Sequence, residues 1–242
     1  MKSLAVNVSF RAAIGAASCV ALLLTVSCGG GSKRPPRATL GPEPSSSQSA
    51  IRFEDLPVTR LERARVPLPN AANPSLGAPN APVVIQMWSD FECPFCADVH
   101  PVLTELLKAY QGRVRLVWHD YPLPFHAHAR LAANAGREAY AQGGASAFWK
   151  FHDAVYEAPE GELTASKLSE LGKKAGLDDA RFQVALRTQR HDAEIAQDVN
   201  IGNAVGVEGT PAFLVNDYFF VGSIPLEIMR VIVDRALSDS GS

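Results

Sequence analysis

The 242-residue sequence carries no strong charge of either sign, with 23 Lys and Arg against 25 Asp and Glu. Without a basic excess it lacks the surface that proteins use to hold phosphates, and no nucleic-acid role is expected. Cysteine is scarce: only Cys19, Cys28, Cys93 and Cys96 occur, and neither a second C-x-x-C nor an H-x-x-x-H accompanies the last two. Structural zinc needs four ligands on such spacings, so no metal is expected; folding would have to recruit His100, His119, His126 or His128 to make a site. No segment repeats. Long hydrophobic runs are also missing, since Ala12 to Val26 is apolar or small throughout but too short for a permanent membrane helix. What remains is ordinary globular composition, 47% hydrophobic and 20% charged.

The amino terminus stands apart. Lys2 and Arg11 precede the apolar stretch, the pattern of a signal peptide over residues 1–27. Its end, Leu24-Thr25-Val26-Ser27-Cys28, resembles a bacterial lipoprotein signal in which Cys28 is lipidated and becomes the first mature residue; Thr25 departs from the usual Leu. The alternative is a simple secretory signal cleaved near Ser27, and either way the chain is exported. Residues 28–50 then form a Gly-, Pro- and Ser-rich tether that cannot bury enough apolar surface to offset ordering entropy. Residues 51–73 form an extension with room for an edge strand near Arg65 to Leu68, limited by Pro57, Pro67 and Pro69.

Export and lipidation leave Cys93 and Cys96 as the remaining thiols. A disulfide between residues so close closes a tiny loop and constrains little of the unfolded chain, so it is poor structural cement. Val83 to Trp88 has the apolar, β-branched character of a buried strand, and Pro94 to Tyr110 has helical spacing. The pair therefore sits at a strand-to-helix junction with Pro94 in an early helical position. Free N–H groups at a helix start favour a thiolate at Cys93, while Asp90 and Glu92 oppose a second anion. Sequence leaves the balance open. Those two acids are expected to be solvated surface charges.

Ser89-Asp90-Phe91-Glu92-Cys93-Pro94-Phe95-Cys96 resembles the active-site segment of DsbA-like thiol-disulfide oxidoreductases, a branch of the thioredoxin superfamily. Gly206-Val207-Glu208-Gly209-Thr210-Pro211-Ala212-Phe213 is similar to the segment that holds that family's cis-proline, and both motifs stand in the right order. His119 to His126 and Phe148 to Asp153 are similar to the start and middle of its helical insertion. The resemblance implies an α/β, thioredoxin-like fold over residues 74–238, with a helical insertion at about 126–188 between the second and third core strands. It implies that Cys93 is the nucleophile and Cys96 the buried resolving partner. Pro94 and Phe95 would tune the thiolate, and Thr210 with a cis Pro211 would face Cys93 and receive substrate. Gln86 and Met87 stand where many members place an acid beneath the site, which implies proton transfer that is slower or carried by water.

The coarse pattern agrees: strands at Val83–Trp88, Val114–Trp118, Ala212–Val215 and Tyr218–Val221, with a turn at Asn216-Asp217. Helical segments are expected at Ala127–Gln142, Ser146–Glu157, Thr164–Ala175, Asp178–Thr188, Asp192–Val205 and Leu226–Leu237. Phe148, Trp149, Phe151 and Tyr156 are expected in the insertion's core. His119 is expected just past its strand, capping or pairing with Asp120, and surface or structural roles are expected for the histidines generally. The expected function is exchange of the Cys93–Cys96 disulfide with thiols of exported proteins, with no cofactor and with a membrane redox partner. A reductase or isomerase of the same fold, and a non-catalytic binding module, are the alternatives. The expected location is the cell envelope, on the periplasmic side of an outer membrane where there is one.

Overall fold

The computed structural model describes residues 51–69, 72–158 and 162–241. The signal peptide, Cys28 and the tether lie outside the described residues. Strand β1 (Thr59–Arg60) lies between two short 3-10 turns, and β2 (Ser75–Gly77) leads into the core. There β3 (Val83–Ser89), α1 (Pro94–Ala109) and β4 (Val114–Asp120) form a β-α-β unit whose two strands run parallel. Helices α2 (Ala129–Tyr156), α3 (Ala165–Lys174), α4 (Asp179–Thr188) and α5 (Asp192–Val205) follow before the hairpin of β5 (Ala212–Val215) and β6 (Tyr218–Val221) and the final helix α6 (Leu226–Ser240). The six strands lie in the order β1-β6-β5-β3-β4-β2. This is the expected thioredoxin-like α/β sheet with helices inserted between its second and third core strands.

Sequence explains the centre. Strand β3 is VVIQMWS and is covered on both faces, which is why it reads as an apolar run rather than an alternation. One face carries Val99, Leu103 and Leu106 of α1 with Met229, Ile232 and Val233 of α6. The other face packs Trp88, Val205, Val207 and Leu214 against Leu61 of the extension. Each large side chain buried here contributes roughly 2–3 kcal/mol. Thr164 and Asp178 cap α3 and α4 by accepting from the amides of Lys167 (3.3 Å) and Arg181 (2.9 Å). Asn216 turns the hairpin at φ 53°, and its Oδ1 accepts from Val84 N at 2.8 Å.

One expectation is corrected. The edge strand of the extension lies at Thr59–Arg60, paired antiparallel with β6, while Arg63–Arg65 forms a 3-10 turn. Prolines 67 and 69 deny the later segment a ladder, and the earlier one has the free edge of β6 beside it. The first two insertion helices are found where expected, as two helical segments of α2 that meet at a kink where the backbone of Gly143 and Gly144 leaves helical geometry. Gly144 sits at φ 64°, a conformation glycine adopts without steric penalty.

The insertion is tied to the sheet by a buried charge network. Arg137 of α2 donates to both Asp120 of β4 and Asp198 of α5. Asn73 Nδ2 reaches both Asp198 oxygens at 3.0 Å, and Trp118 Nε1 donates to Asp120 Oδ1 at 2.8 Å. Closer to the active-site turn, Gly136 lets α2 settle on the Phe91 ring, where a Cβ would lie 2.9 Å from a ring carbon. No helix among the described residues is long and apolar enough to cross a membrane.

Candidate active site

The strand-to-helix turn after β3 is built by Asp90. Its Oδ1 accepts from Glu92 N at 2.8 Å, and its backbone carbonyl accepts from Cys93 N at 3.1 Å. Cys93 then occupies the N-cap of α1, its carbonyl accepting from Cys96 N (3.0 Å) and Ala97 N (3.2 Å), with Pro94 in the first turn. Both cysteines are free thiols; Cys93 is 3% exposed and Cys96 fully buried. The Cys93 thiol donates to the Thr210 carbonyl oxygen at 3.3 Å, and the Thr210–Pro211 peptide bond is cis. The fold thus brings together residues more than a hundred positions apart. Thr210 Oγ1 is buried without a hydrogen-bond partner.

The two thiols differ sharply in acidity. Cys93 is lowered to about 6, chiefly by the hydrogen bond from the Cys96 thiol. Burial opposes the shift, while Thr210 and the amides of Cys96 and Phe95 reinforce it. The carbonyl of Thr210 accepts from the neutral thiol, so the help given to the thiolate comes from the adjacent, unpartnered hydroxyl. Cys96 is driven far upward, first by burial and then by its bond to Cys93, with Ser89 pulling in the opposite direction. Donors at the helix start outweigh the acids of the turn, which settles the balance that the sequence leaves open.

Those acids are not surface charges, contrary to expectation. The Asp90 side chain is buried, and its Oδ2 also receives Leu123 N (2.9 Å) and lies 2.7 Å from His126 Nδ1. Glu92 accepts from His128 N at 2.6 Å and lies 3.1 Å from His128 Nδ1. The segment leaving β4 folds back over the turn and supplies the donors that water would otherwise provide. His119 is likewise corrected: it lies within β4, 1% exposed, stacked on Trp88. Its ring nitrogens lie 3.0 Å from Gln86 Oε1 and 3.1 Å from Asp198 Oδ1 rather than against Asp120.

Beneath the site, Gln86 spends its amide on the Pro67 carbonyl at 2.8 Å. The polar side chain offered to Cys96 is instead Ser89, whose Oγ lies 3.4 Å from the Tyr156 hydroxyl. Sequence reasoning missed both residues. Ser89 has the signal of being a hydroxyl at the end of an otherwise apolar strand. Tyr156 was assigned to the core on spacing, and its phenol, which requires a polar partner when buried, is the signal that was overlooked. Phe148, Trp149 and Phe151 are core residues, as expected. A groove of about 410 Å³ opens beside Cys93, lined by Phe91, Glu92, Pro94, Asp98 and Tyr156. Phe95 and Phe125 are exposed, 59% and 76%.

Paired thiols of unequal acidity on this sheet are the arrangement that dithiol–disulfide exchange requires. Comparison with known proteins takes the assignment further. A sequence profile described as thioredoxin matches residues 70–235. Na(+)/H(+) antiporter NhaA 3 of Salinispora tropica is 36% identical over 165 residues, covering 68% of this chain and 24% of the antiporter. The chain thus spans about a quarter of the first curated relatives it matches. Probable disulfide bond formation protein D of Bacillus anthracis is 30% identical over 152 residues, covering 59% of this chain and 69% of that protein. Oxidised BdbD from Bacillus subtilis superposes with a TM-score of 0.64 at 23% identity, over 70% of this chain and 96% of that one. A thioredoxin-like oxidoreductase from Silicibacter pomeroyi gives 0.63 at 28% identity, over 70% and 94%. The chain belongs to the thioredoxin family, in its DsbA-like thiol-disulfide oxidoreductase branch.

Proposed function

We propose that this chain is an envelope protein that donates a Cys93–Cys96 disulfide to cysteine pairs of exported proteins. A client thiolate attacks the Cys93 sulfur, the S–S bond breaks, and Cys96 leaves as a thiolate that takes up a proton. The client's second thiolate then attacks its own sulfur in the mixed disulfide and expels Cys93 as a thiolate. The client has lost two electrons to this protein, and a membrane redox partner removes them again.

One observation carries this reading: the unequal acidity of the thiols. A stabilised Cys93 thiolate favours the reduced form of the pair and makes the disulfide a stronger oxidant. It also makes Cys93 the better leaving group in the second step. In this reading Thr210 and Pro211 receive the client strand, and Pro94 and Phe95 set the environment of the thiolate. The name of the Bacillus anthracis relative points the same way. Removal of residues 1–27, lipidation at Cys28 and the tether that follows would hold the domain at a membrane, on the periplasmic side of an outer membrane where one exists.

The test is the reduction potential of the pair against glutathione buffers. About −120 to −180 mV is the range expected of a disulfide donor. A value near about −270 mV would assign the protein to the reductase reading. A bridge that refuses to exchange would leave a binding module. With the donor reading, Cys96→Ala accumulates mixed disulfides with clients and Cys93→Ser is inactive.

A further inference from the structure

Outside the thiol centre, two histidines and a carboxylate converge between α1 and α2. His100 Nε2 lies 3.7 Å from Asp153 Oδ1, and His152 Nδ1 lies 3.0 Å from the same oxygen. One ligating atom from each of the three residues falls within 4.8 Å of the other two, a grouping that stands alone among the described residues. We infer that His100, His152 and Asp153 bind one divalent transition-metal ion of the zinc class, one helical turn beyond Cys96.

Chemistry selects that class. Two imidazoles and one carboxylate suit zinc and its borderline neighbours, whereas calcium and magnesium call for oxygen ligands throughout. Three protein ligands leave a fourth position open. That position has space, because a cavity of about 320 Å³ adjoins the three residues. Trp149 lines the same cavity, and its indole Nε1 is buried without a hydrogen-bond partner. Lys108 is the opposing charge on the rim, and its flexible stem allows the ammonium to remain in water.

The rings are already held. His152 is wedged among Phe91, Trp118, Phe148, Trp149 and Tyr156, with ring centroids 4.7–6.1 Å away. His100 sits 5.0 Å from it, centroid to centroid. Asp153 keeps 48% of its side chain exposed, so the site has a route to solvent. Metal binding would require His152 to surrender the Nδ1 proton it shares with Asp153, moving the ring to its other tautomer. No step at Cys93 or Cys96 is involved, so the inference stands apart from the function proposed above.

The experiment titrates zinc, and cobalt(II) as its coloured substitute, into the full chain after the Cys93–Cys96 pair has been oxidised and every remaining thiol alkylated. Expected is saturable one-to-one binding, a cobalt spectrum with d–d bands and no sulfur-to-metal charge transfer, and zinc-induced shifts of the His100 and His152 ring protons. His100→Gln and Asp153→Asn, both at half-buried positions that spare the core, should each weaken binding about tenfold or more. Absence of saturable binding overturns the inference. So does binding that both substitutions leave unchanged, or zinc shifts confined to His126 and His128.

Discussion

Titrating the Cys93–Cys96 couple against pH should reveal a break in its reduction potential near pH 6. Below the pKa of Cys93 two protons accompany two electrons and the potential falls by about 59 mV per pH unit; above it one proton is lost from the count and the slope halves to about 30 mV. The magnitude at neutrality follows from the shift of Cys93 to about 6. Against an ordinary thiol near about 8.5, the reduced form gains about 1.4 kcal/mol at pH 7, which is about 30 mV of added oxidising power. The sign is that of any depressed acid: the stabilisation of the folded dithiol is complete above the unfolded pKa and disappears as pH falls through about 6. As a nucleophile Cys93 gains little, because its roughly thirtyfold rise in thiolate fraction is offset about thirteenfold by lower intrinsic reactivity. Poise and leaving ability are what the low pKa supplies. The assay equilibrates the protein with glutathione buffers from about pH 4 to pH 9 and quantifies free thiols by acid quench and alkylation. A single slope of about 59 mV continuing to pH 8 would refute the reasoning and make Cys93 an ordinary thiol.

Removing the unpartnered hydroxyl with Thr210→Val should raise the Cys93 pKa by about one unit, read from the ultraviolet absorbance of the thiolate during a pH titration. Ser89→Ala should slow reduction of the oxidised protein by a small dithiol about tenfold, since the departing Cys96 thiolate loses its donor, and should leave the Cys93 titration in place. Asp90→Ala orphans the amides of Glu92 and Leu123 and the His126 ring, and should cost about 3 kcal/mol in urea unfolding of the reduced form. Arg137→Leu leaves Asp120 and Asp198 buried without their cation, with an expected loss of about 3–5 kcal/mol in the same measurement.

Local signals carried the elements. Strand β3 announces itself as an apolar β-branched run, α3 and α4 by their helical patterning, and the β5–β6 hairpin by Asn216-Asp217. Failures came where a neighbour decides. The edge strand formed at Thr59–Arg60 because β6 offered an unpaired side there, a fact no pattern in residues 51–69 contains. Asp90 and Glu92 carry the ordinary marks of solvated acids, and only the return of residues 121–128 over the turn converts them into a buried and a half-buried acceptor. The C-x-x-C pair was legible and its acidity was not, because it depends on the aim of the Cys96 thiol, on burial, and on Thr210, which arrives from 117 residues away.

The absence of an acid at position 86 takes its meaning from where the buried acids went. Asp120 and Asp198 are engaged by Arg137, Asn73 and Trp118, while Asp90 is held by Glu92 N, Leu123 N and His126. Cys96 is left with Ser89 and Cys93 as its hydrogen-bonding side chains; a serine hydroxyl is no base at neutral pH, and in a mixed disulfide the Cys93 sulfur is bonded to the client. Attack by Cys96 on a mixed disulfide requires its thiolate, which burial makes costly, so under the proposed function that return step is expected to be slow. A client joined to Cys93 therefore has time to bring its own second thiol to bear. Under the proposed disulfide-donor function, the partition would favour completing a client's disulfide over releasing the client reduced. Placing an acid beneath the pair with Gln86→Glu should reverse it, shortening the lifetime of the mixed disulfide with a two-cysteine peptide and lowering the yield of oxidised peptide per turnover. An unchanged lifetime in that variant, with the acid shown by titration to be ionised, would mean that the return step is limited by something other than the proton on Cys96.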